Sequence, residues 1–182
     1  LKWLNDEDFI RAKVPMTKKA IRVLSVSYLD LEEGLSLLDI GSGTGSISVQ
    51  AALLGAHVTA IERKEEGVHL LKENAKRHGV EVKAIHGLAP EDLPDQDFDR
   101  AFIGGSAGNL EEIFSYLDKH LKKSGILVGN YITLKNTWKM YELLKKHNYQ
   151  DIDVELVQTA KLDHLGLMKG ENPIYIMKGV KE

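Results

Sequence analysis

The segment Leu37-Leu38-Asp39-Ile40-Gly41-Ser42-Gly43-Thr44-Gly45 constrains this chain more than any other. A short apolar run, suited to a central parallel strand, ends in a carboxylate and a glycine-rich turn that opens a helix to about Leu54. Glycines there let the backbone take positive φ and let a ligand lie almost on the main chain. The helix start offers free N–H groups and about half a positive charge. One βα step later, the strand His57–Ile61 ends at Glu62, whose two oxygens match a pair of neighbouring ribose hydroxyls. A lone glycine loop is often only a turn; strand, acid, glycine turn, helix, strand and acid in order point to a nucleoside ligand.

The spacing separates two nucleoside cofactors. A dinucleotide fingerprint, G-x-G-x-x-G, would put its third glycine at position 46. That position is Ser46, and the third glycine is Gly45. G-x-G-x-G preceded by Asp39 resembles motif I of class I methyltransferases, which implies S-adenosylmethionine rather than NAD. In that reading Asp39 helps hold the ammonium side, often through water. Gly41, Ser42, Gly43, Thr44 and Gly45 cradle the ligand, and Glu62 accepts from the ribose.

The rest of the chain alternates apolar strands with amphipathic helices, as in a mostly parallel sheet covered on both faces. Helices are expected over Lys18–Leu29, Lys64–His78, from Asn109 to Leu121 and over Lys135–His147. Thr17 is set to cap the first, and Asn109 with Glu112 to form a capping box. Strands are expected at Val82–Ile85, Asp99–Ile103, Ile126–Tyr131 and Pro173–Lys178. Ser124 and Gly125 are read as the turn into the third of these. Ile152, Val154 and Leu156 alternate with acids, the mark of an antiparallel edge strand with one wet face. Lys161–Asn172 reads as a mobile stretch. The expected fold class is α/β, a class I SAM-dependent methyltransferase Rossmann-like fold. Its seven-stranded sheet is mostly parallel, with an antiparallel last strand. Residues 1–182 are read as one domain, 1–34 a helical lead-in and 35–182 the core.

Composition narrows the chemistry. The chain has no cysteine, which removes disulfides, thiolate metal sites and cysteine nucleophiles. Its 7 histidines show no metal-ligand spacing, so no metal is expected. A net charge of −3 lacks the basic excess of most nucleic-acid binders. Leu1–Ile10 carries Asp6, Glu7 and Asp8 and no apolar signal core. No apolar run is long enough to span a bilayer, and a cytoplasmic protein is expected.

Two loops extend the candidate site. After the third strand comes His86-Gly87-Leu88-Ala89-Pro90-Glu91-Asp92, which either lies over an adenine, with Leu88 and Ala89 in contact, or is a plain turn. After the fourth comes Gly104-Gly105-Ser106, where amino-methylating DNA enzymes usually carry an Asn/Asp-Pro-Pro-aromatic motif. The two glycines leave room for a bulky substrate at the transfer site, or simply make a tight turn.

Several segments together resemble one family. Val14-Pro15-Met16-Thr17-Lys18-Lys19-Ala20-Ile21-Arg22 is similar to the N-terminal "P-x-T-K-x-E-V-R" signature of the CbiT family, the cobalamin-pathway precorrin C15-methyltransferases (decarboxylating), with Ala20 where the family often has Glu. The glycine loop, Gly87-Leu88-Ala89-Pro90-Glu91, Gly104-Gly105-Ser106 and Asn172-Pro173-Ile174-Tyr175-Ile176 resemble the same family, so the likeness covers nearly the whole chain. It implies methyl transfer from S-adenosylmethionine to C15 of a (cobalt-)precorrin, loss of carbon dioxide from the C12 acetate, and a homotetramer. An electron-rich ring carbon needs alignment with the sulfonium more than it needs a protein nucleophile.

A polycarboxylate ligand calls for cations at the pocket mouth. Lys18, Arg22, Lys135 and Lys161 are the candidates, with a solvated surface role as the alternative for each lysine. Thr17 caps its helix, touches the cofactor, or does both. Asn130 and Tyr131 end the fifth strand on the edge where ligands gather. Trp138 and Met140 read as helix packing. Alternative readings of the whole chain are an adenine-N1 tRNA methyltransferase, a non-catalytic SAM-binding subunit and an NAD oxidoreductase.

Overall fold

The computed structural model describes residues 3–182; the first two residues of the segment Leu1–Ile10 lie outside the described residues. In chain order the elements are α1 (Lys19–Tyr28), β1 (Ser36–Ile40), α2 (Ser46–Leu53), β2 (His57–Glu62), α3 (Glu65–His78), β3 (Val82–His86), β4 (Phe98–Ile103), α4 (Leu110–His120), β5 (Leu121–Tyr131), α5 (Leu134–Lys146), β6 (Gln150–Val157), β7 (Ala160–Leu162), β8 (Met168–Gly170) and β9 (Ile174–Val180). A one-turn 3-10 helix, Asp6–Asp8, precedes them. Seven strands make one sheet in the order β3-β2-β1-β4-β5-β9-β6. The pairs from β3 to β5 are parallel. β9 runs antiparallel to both β5 and β6. This is the class I SAM-dependent methyltransferase fold.

β1 sits in the middle of the five parallel strands because Leu37, Leu38 and Ile40 are buried on both faces, which a strand flanked by parallel neighbours requires. One core lies on the face carrying α4 and α5, around Leu38, Ile103, Phe114, Leu127 and Met140. The other lies under α1 and α2, around Leu37, Ile47, Phe102 and Val128. α3 carries Glu65 and Glu66 in its first turn and Lys76, Arg77 and His78 in its last, both signs matching the helix dipole. Gly79 ends it at φ 66°.

The lead-in is anchored by side chains far away in sequence. Asn74 of α3 donates to the Ile10 carbonyl at 2.8 Å and accepts from the Ile10 N–H at 2.8 Å. Leu4 N–H donates to Gln50 of α2, and Leu4 and Phe9 pack with Val49 and Ala75.

Local expectations give way at several points. Thr17 does not cap α1. Lys18 holds the cap position without a side-chain bond, and Asp6 Oδ1 instead accepts from Lys19 N–H at 2.7 Å. A carboxylate delivered by the tertiary fold replaces the nearby hydroxyl. Asn109 occupies the α4 cap position with no side-chain cap bond; its amide donates to the Ala89 carbonyl at 3.2 Å. The turn expected at Ser124 is an irregularity inside β5, with Ser124 at φ 59°. The stretch Lys161–Asn172 contains a two-stranded ribbon, pairing Ala160 with Gly170 and Leu162 with Met168. Asp163 organises its tip by accepting from Leu165 and Leu167 N–H. Met140 is buried as expected, but Trp138 is 61% exposed.

Candidate active site

The carboxyl ends of β1, β2, β4 and β5 open onto a crevice of about 650 Å³. That size is ordinary for a small-molecule site. Gly41, Ser42 and Gly43 form its floor at one end, with Asp39, Glu62 and Lys64 beside them. Val14–Lys18 of the lead-in makes one wall. Gly104, Asn130, Tyr131 and Asn136 line the middle, and Thr159, Glu171 and Asn172 close the far end.

The glycine loop follows from backbone geometry. Gly41 sits at φ 73°, and a Cβ there would lie 2.5 Å from the Gly105 carbonyl oxygen. The loops after β1 and β4 therefore touch through bare backbone. Gly43 N–H donates to Glu62 Oε2 at 3.0 Å, and Lys64 N–H donates to Glu62 Oε1 at 2.9 Å. Glu62 is thus pinned by its own loop, and each of its oxygens keeps a further lone pair for a ligand hydroxyl.

Asp39 is wholly enclosed. The Ser48 hydroxyl donates to its Oδ2, while Oδ1 is buried without a partner. Burial pushes its carboxyl up to about 7, against the Ser48 hydrogen bond, and the nearby Glu62 charge adds to the rise. Ser42 Oγ, also lining the crevice, is likewise buried and unpartnered. Buried polar atoms are normally satisfied, so these two orphaned oxygens mark where a ligand with donor groups belongs. An ammonium meets that need, and the residues present fit S-adenosylmethionine.

Other expected residues are placed differently. Thr44 and Gly45 shape the loop without lining the crevice. The Thr44 carbonyl accepts from Asn74 at 2.9 Å, and a Cβ on Gly45 would meet Leu71 at 2.1 Å. Gly104 lines the main crevice, whereas Gly105, Ser106, Gly87 and Ala89 line a smaller cavity of about 50 Å³ behind Glu62. Leu88 is outside both; its N–H is taken by the Asp92 carboxylate at 2.8 Å.

Arg22 is not a mouth cation. It is fully buried, donates to the carbonyls of Thr17 and Leu4 at 2.8 Å each, and lies 4.7 Å over the Phe9 ring. Its guanidinium reaches Asp6 at 3.6 Å, so it locks the lead-in to α1. Lys161 pairs with the same Asp6 at 3.1 Å. Burial would raise the Asp6 pKa, but the Lys161 ammonium and the Lys19 N–H outweigh it, and the group sits below the ordinary carboxylate value. Lys18 lines the crevice; Lys135 is exposed and does not, although its neighbour Asn136 does. Asn130 is braced by Ser25, which its amide reaches at 2.9 Å.

Lys64, Asn136, Thr159 and Glu171 were not singled out from the sequence. Lys64 follows Glu62 closely enough to be found by proximity. Asn136 follows the end of β5 by five residues and could have been found the same way, whereas Thr159 and Glu171 carry no local signal, because only the insertion of β9 between β5 and β6 brings their segments to the crevice. Among the described residues no group of three or more acidic or histidine side chains is placed to hold a metal.

The profile of the precorrin methyltransferase domain family matches residues 8–181. The chain belongs to this family. A probable cobalt-precorrin-6B C(15)-methyltransferase (decarboxylating) from Sulfurisphaera tokodaii is 40% identical over 190 residues, covering 100% of this chain and 98% of the relative. The crystal structure of a precorrin-6y C5,15-methyltransferase from Geobacter metallireducens superposes with a TM-score of 0.93 at 35% identity, covering 99% of this chain and 97% of the other. That of a precorrin 8w decarboxylase from Methanobacterium thermoautotrophicum gives 0.88 at 28% identity, covering 97% and 98%. Family and fold make the chain an enzyme whose methyl donor is S-adenosylmethionine.

Proposed function

We propose that this enzyme methylates C15 of a (cobalt-)precorrin and removes carbon dioxide from its C12 acetate side chain, a step in cobalamin formation. The observation that carries the reading is the division of one crevice. Orphaned acceptors and a pinned ribose-type acid lie at its glycine-floored β1–β2 end, and an open space runs from Gly104 past Asn130 and Asn136 toward the other.

The bound cofactor supplies an electrophilic methyl group. Asp39, oriented by Ser48, and Ser42 receive its ammonium end; Gly41 and Gly43 let it lie on the backbone, and Glu62 accepts from its ribose. The smaller cavity, with Ala89, Gly105 and Ser106, suits the edge of the adenine. Thr17 and Lys18 face the crevice from the lead-in. Lys18, with Lys135 and Lys161 nearer the surface, answers the substrate carboxylates; Asn130 and Tyr131 border the ring. Alignment on this frame, rather than attack by a protein nucleophile, accelerates the methyl transfer.

We read residues 1–182 as one catalytic domain, acting in the cytoplasm and binding no nucleic acid. Among the described residues no helix is long and apolar enough to cross a membrane. The homotetramer is part of the same proposal. It is supported by apolar side chains left open to solvent on α5, on β6 and on the ribbon, among them Leu134, Trp138, Leu156, Leu165 and Leu167. Mass spectrometry of a precorrin intermediate incubated with the protein and S-adenosylmethionine tests the reaction. Gain of one methyl with loss of carbon dioxide is expected; an unchanged substrate defeats it.

A further inference from the structure

Three carboxylates line the crevice: Asp39, Glu62 and Glu171. Two belong to the cofactor end. Asp39 is enclosed and held by Ser48, and both oxygens of Glu62 accept from backbone N–H groups. Glu171 stands apart. It lies just before β9, whose first residues meet the end of β5, with Tyr131 opposite Tyr175. Four strand spacings separate β2 from β9 in the sheet, about 19 Å at the usual interval.

The segment is firmly placed, since Glu171 N–H donates to the Thr159 carbonyl at 2.8 Å. The side chain is only partly exposed, and no hydrogen bond or ion pair engages its carboxylate among the described residues. At this end the crevice offers mainly neutral groups: Asn130, Asn136, Thr159 and Asn172. A free carboxylate is a poor choice for binding a polycarboxylate, because like charges repel. It is a good choice for moving a proton.

The reaction needs such a group. This inference rests on the function proposed above. Methylation at a ring C–H forms one C–C bond, returns the C–H electron pair to the ring and releases one proton. Decarboxylation breaks the bond between the acetate methylene and its carboxylate. Carbon dioxide leaves, the electron pair enters the conjugated ring, and the methylene carbon must take up one proton to become a methyl. The two steps together neither consume nor release a proton, and no oxidant or reductant is required. We propose that Glu171 is the catalytic acid–base residue that takes the proton released at the ring and delivers it to the methylene carbon left by carbon dioxide. A carboxylate cycling between its two protonation states leaves the enzyme unchanged after each turnover, in whichever order the steps occur.

Glu171→Gln keeps size and polarity but cannot cycle a proton; Glu171→Asp keeps the acid. Each is compared with the parent by turnover of a precorrin intermediate, by product mass, and by calorimetric binding of S-adenosylmethionine. Turnover to the methylated, decarboxylated product should fall about 100-fold or more in Glu171→Gln. A methylated species that retains its carboxylate should accumulate or no product form, cofactor affinity should stay within about twofold of the parent, and Glu171→Asp should recover part of the rate. The acid limb of the parent's pH–rate profile should be lost in Glu171→Gln and kept in Glu171→Asp. Lys18, Asp39, Glu62, Arg63, Lys64 and Tyr131 are the other titratable groups facing the crevice, and all remain in both variants. Decarboxylated product formed by Glu171→Gln within about threefold of the parent rate overturns the assignment. A parent enzyme that leaves the precorrin unchanged overturns the reaction itself, and this inference with it.

Discussion

The two ends of the crevice are built in opposite ways. The β1–β2 end is local and backbone-rich: Asp39, Gly41, Gly43 and Glu62 lie within one βα step, with Glu62 accepting from Gly43 and Lys64 N–H and Asp39 from the Ser48 hydroxyl. The β5–β9 end draws Asn130 from β5, Asn136 from α5, and Thr159 and Glu171 from the connections after β6 and before β9, and most of their side chains face open space. A nucleoside of fixed shape rewards a rigid cradle made from a short stretch of chain. The proposed pair of reactions on a large substrate would use a wide mouth, and only long-range topology assembles one.

The largest test of that contrast is at the loop contact. Gly41→Ala places a Cβ against Gly105 backbone and strains a positive φ, at a cost of roughly 2–6 kcal/mol. Gly105→Ala meets nothing within 4 Å and should leave the melting temperature nearly unchanged. Equal thermal denaturation of the two variants would break the picture of a rigid cradle.

Next comes Arg22→Ala, which strands two carbonyls and Asp6 and should cost about 3 kcal/mol in denaturant titrations. The corresponding change at the exposed Lys135 should fall within about 0.5 kcal/mol. A stable Arg22→Ala that merely loses substrate would return Arg22 to the pocket.

Glu62→Ala should weaken S-adenosylmethionine binding by about 1–3 kcal/mol in calorimetry. Its backbone partners Gly43 and Lys64 lose their acceptor as well, so the loop should also become more mobile to hydrogen exchange. Unchanged affinity would remove Glu62 from the cofactor end.

The smallest effect sharpens the electrostatics. Asp39 titrates at about 7 in the fold against an ordinary 3.8. A raised carboxylate pKa means its stability contribution is full below about pH 4 and is lost as pH rises through about 7. Relative to Asp39→Asn, the cofactor-free parent should therefore lose stability between about pH 4 and pH 8. A difference in melting temperature that stays flat across that window would show that Asp39 is not burdened by burial.

Strand positions, the α/β alternation, the glycine loop and the β2 acid were legible because each is a pattern within a few residues. Apolar runs mark buried parallel strands, and positive φ demands glycine wherever it occurs in the chain. The same local reading misplaced Thr17 as a cap, Arg22 as a cation at the pocket mouth and Trp138 as packing. The partners that decide these positions come from other segments or are missing: Asp6 caps α1, the Leu4 carbonyl and Asp6 draw Arg22 inward, and the α5 surface around Trp138 is left open. A hydroxyl, a guanidinium or an indole suits several environments equally well at the level of sequence.

What the sequence alone determined is therefore the glycine loop with its β2 acid and the class of sheet, since both rest on backbone geometry and burial periodicity, which neighbouring residues dictate. Only the tertiary structure decided which charges are buried, which carboxylate is left free, and how β9, slotted between β5 and β6, carries Glu171 to the crevice. Hydrogen-bond and charge partners are chosen by position in space, and the chain writes that position across more than a hundred residues.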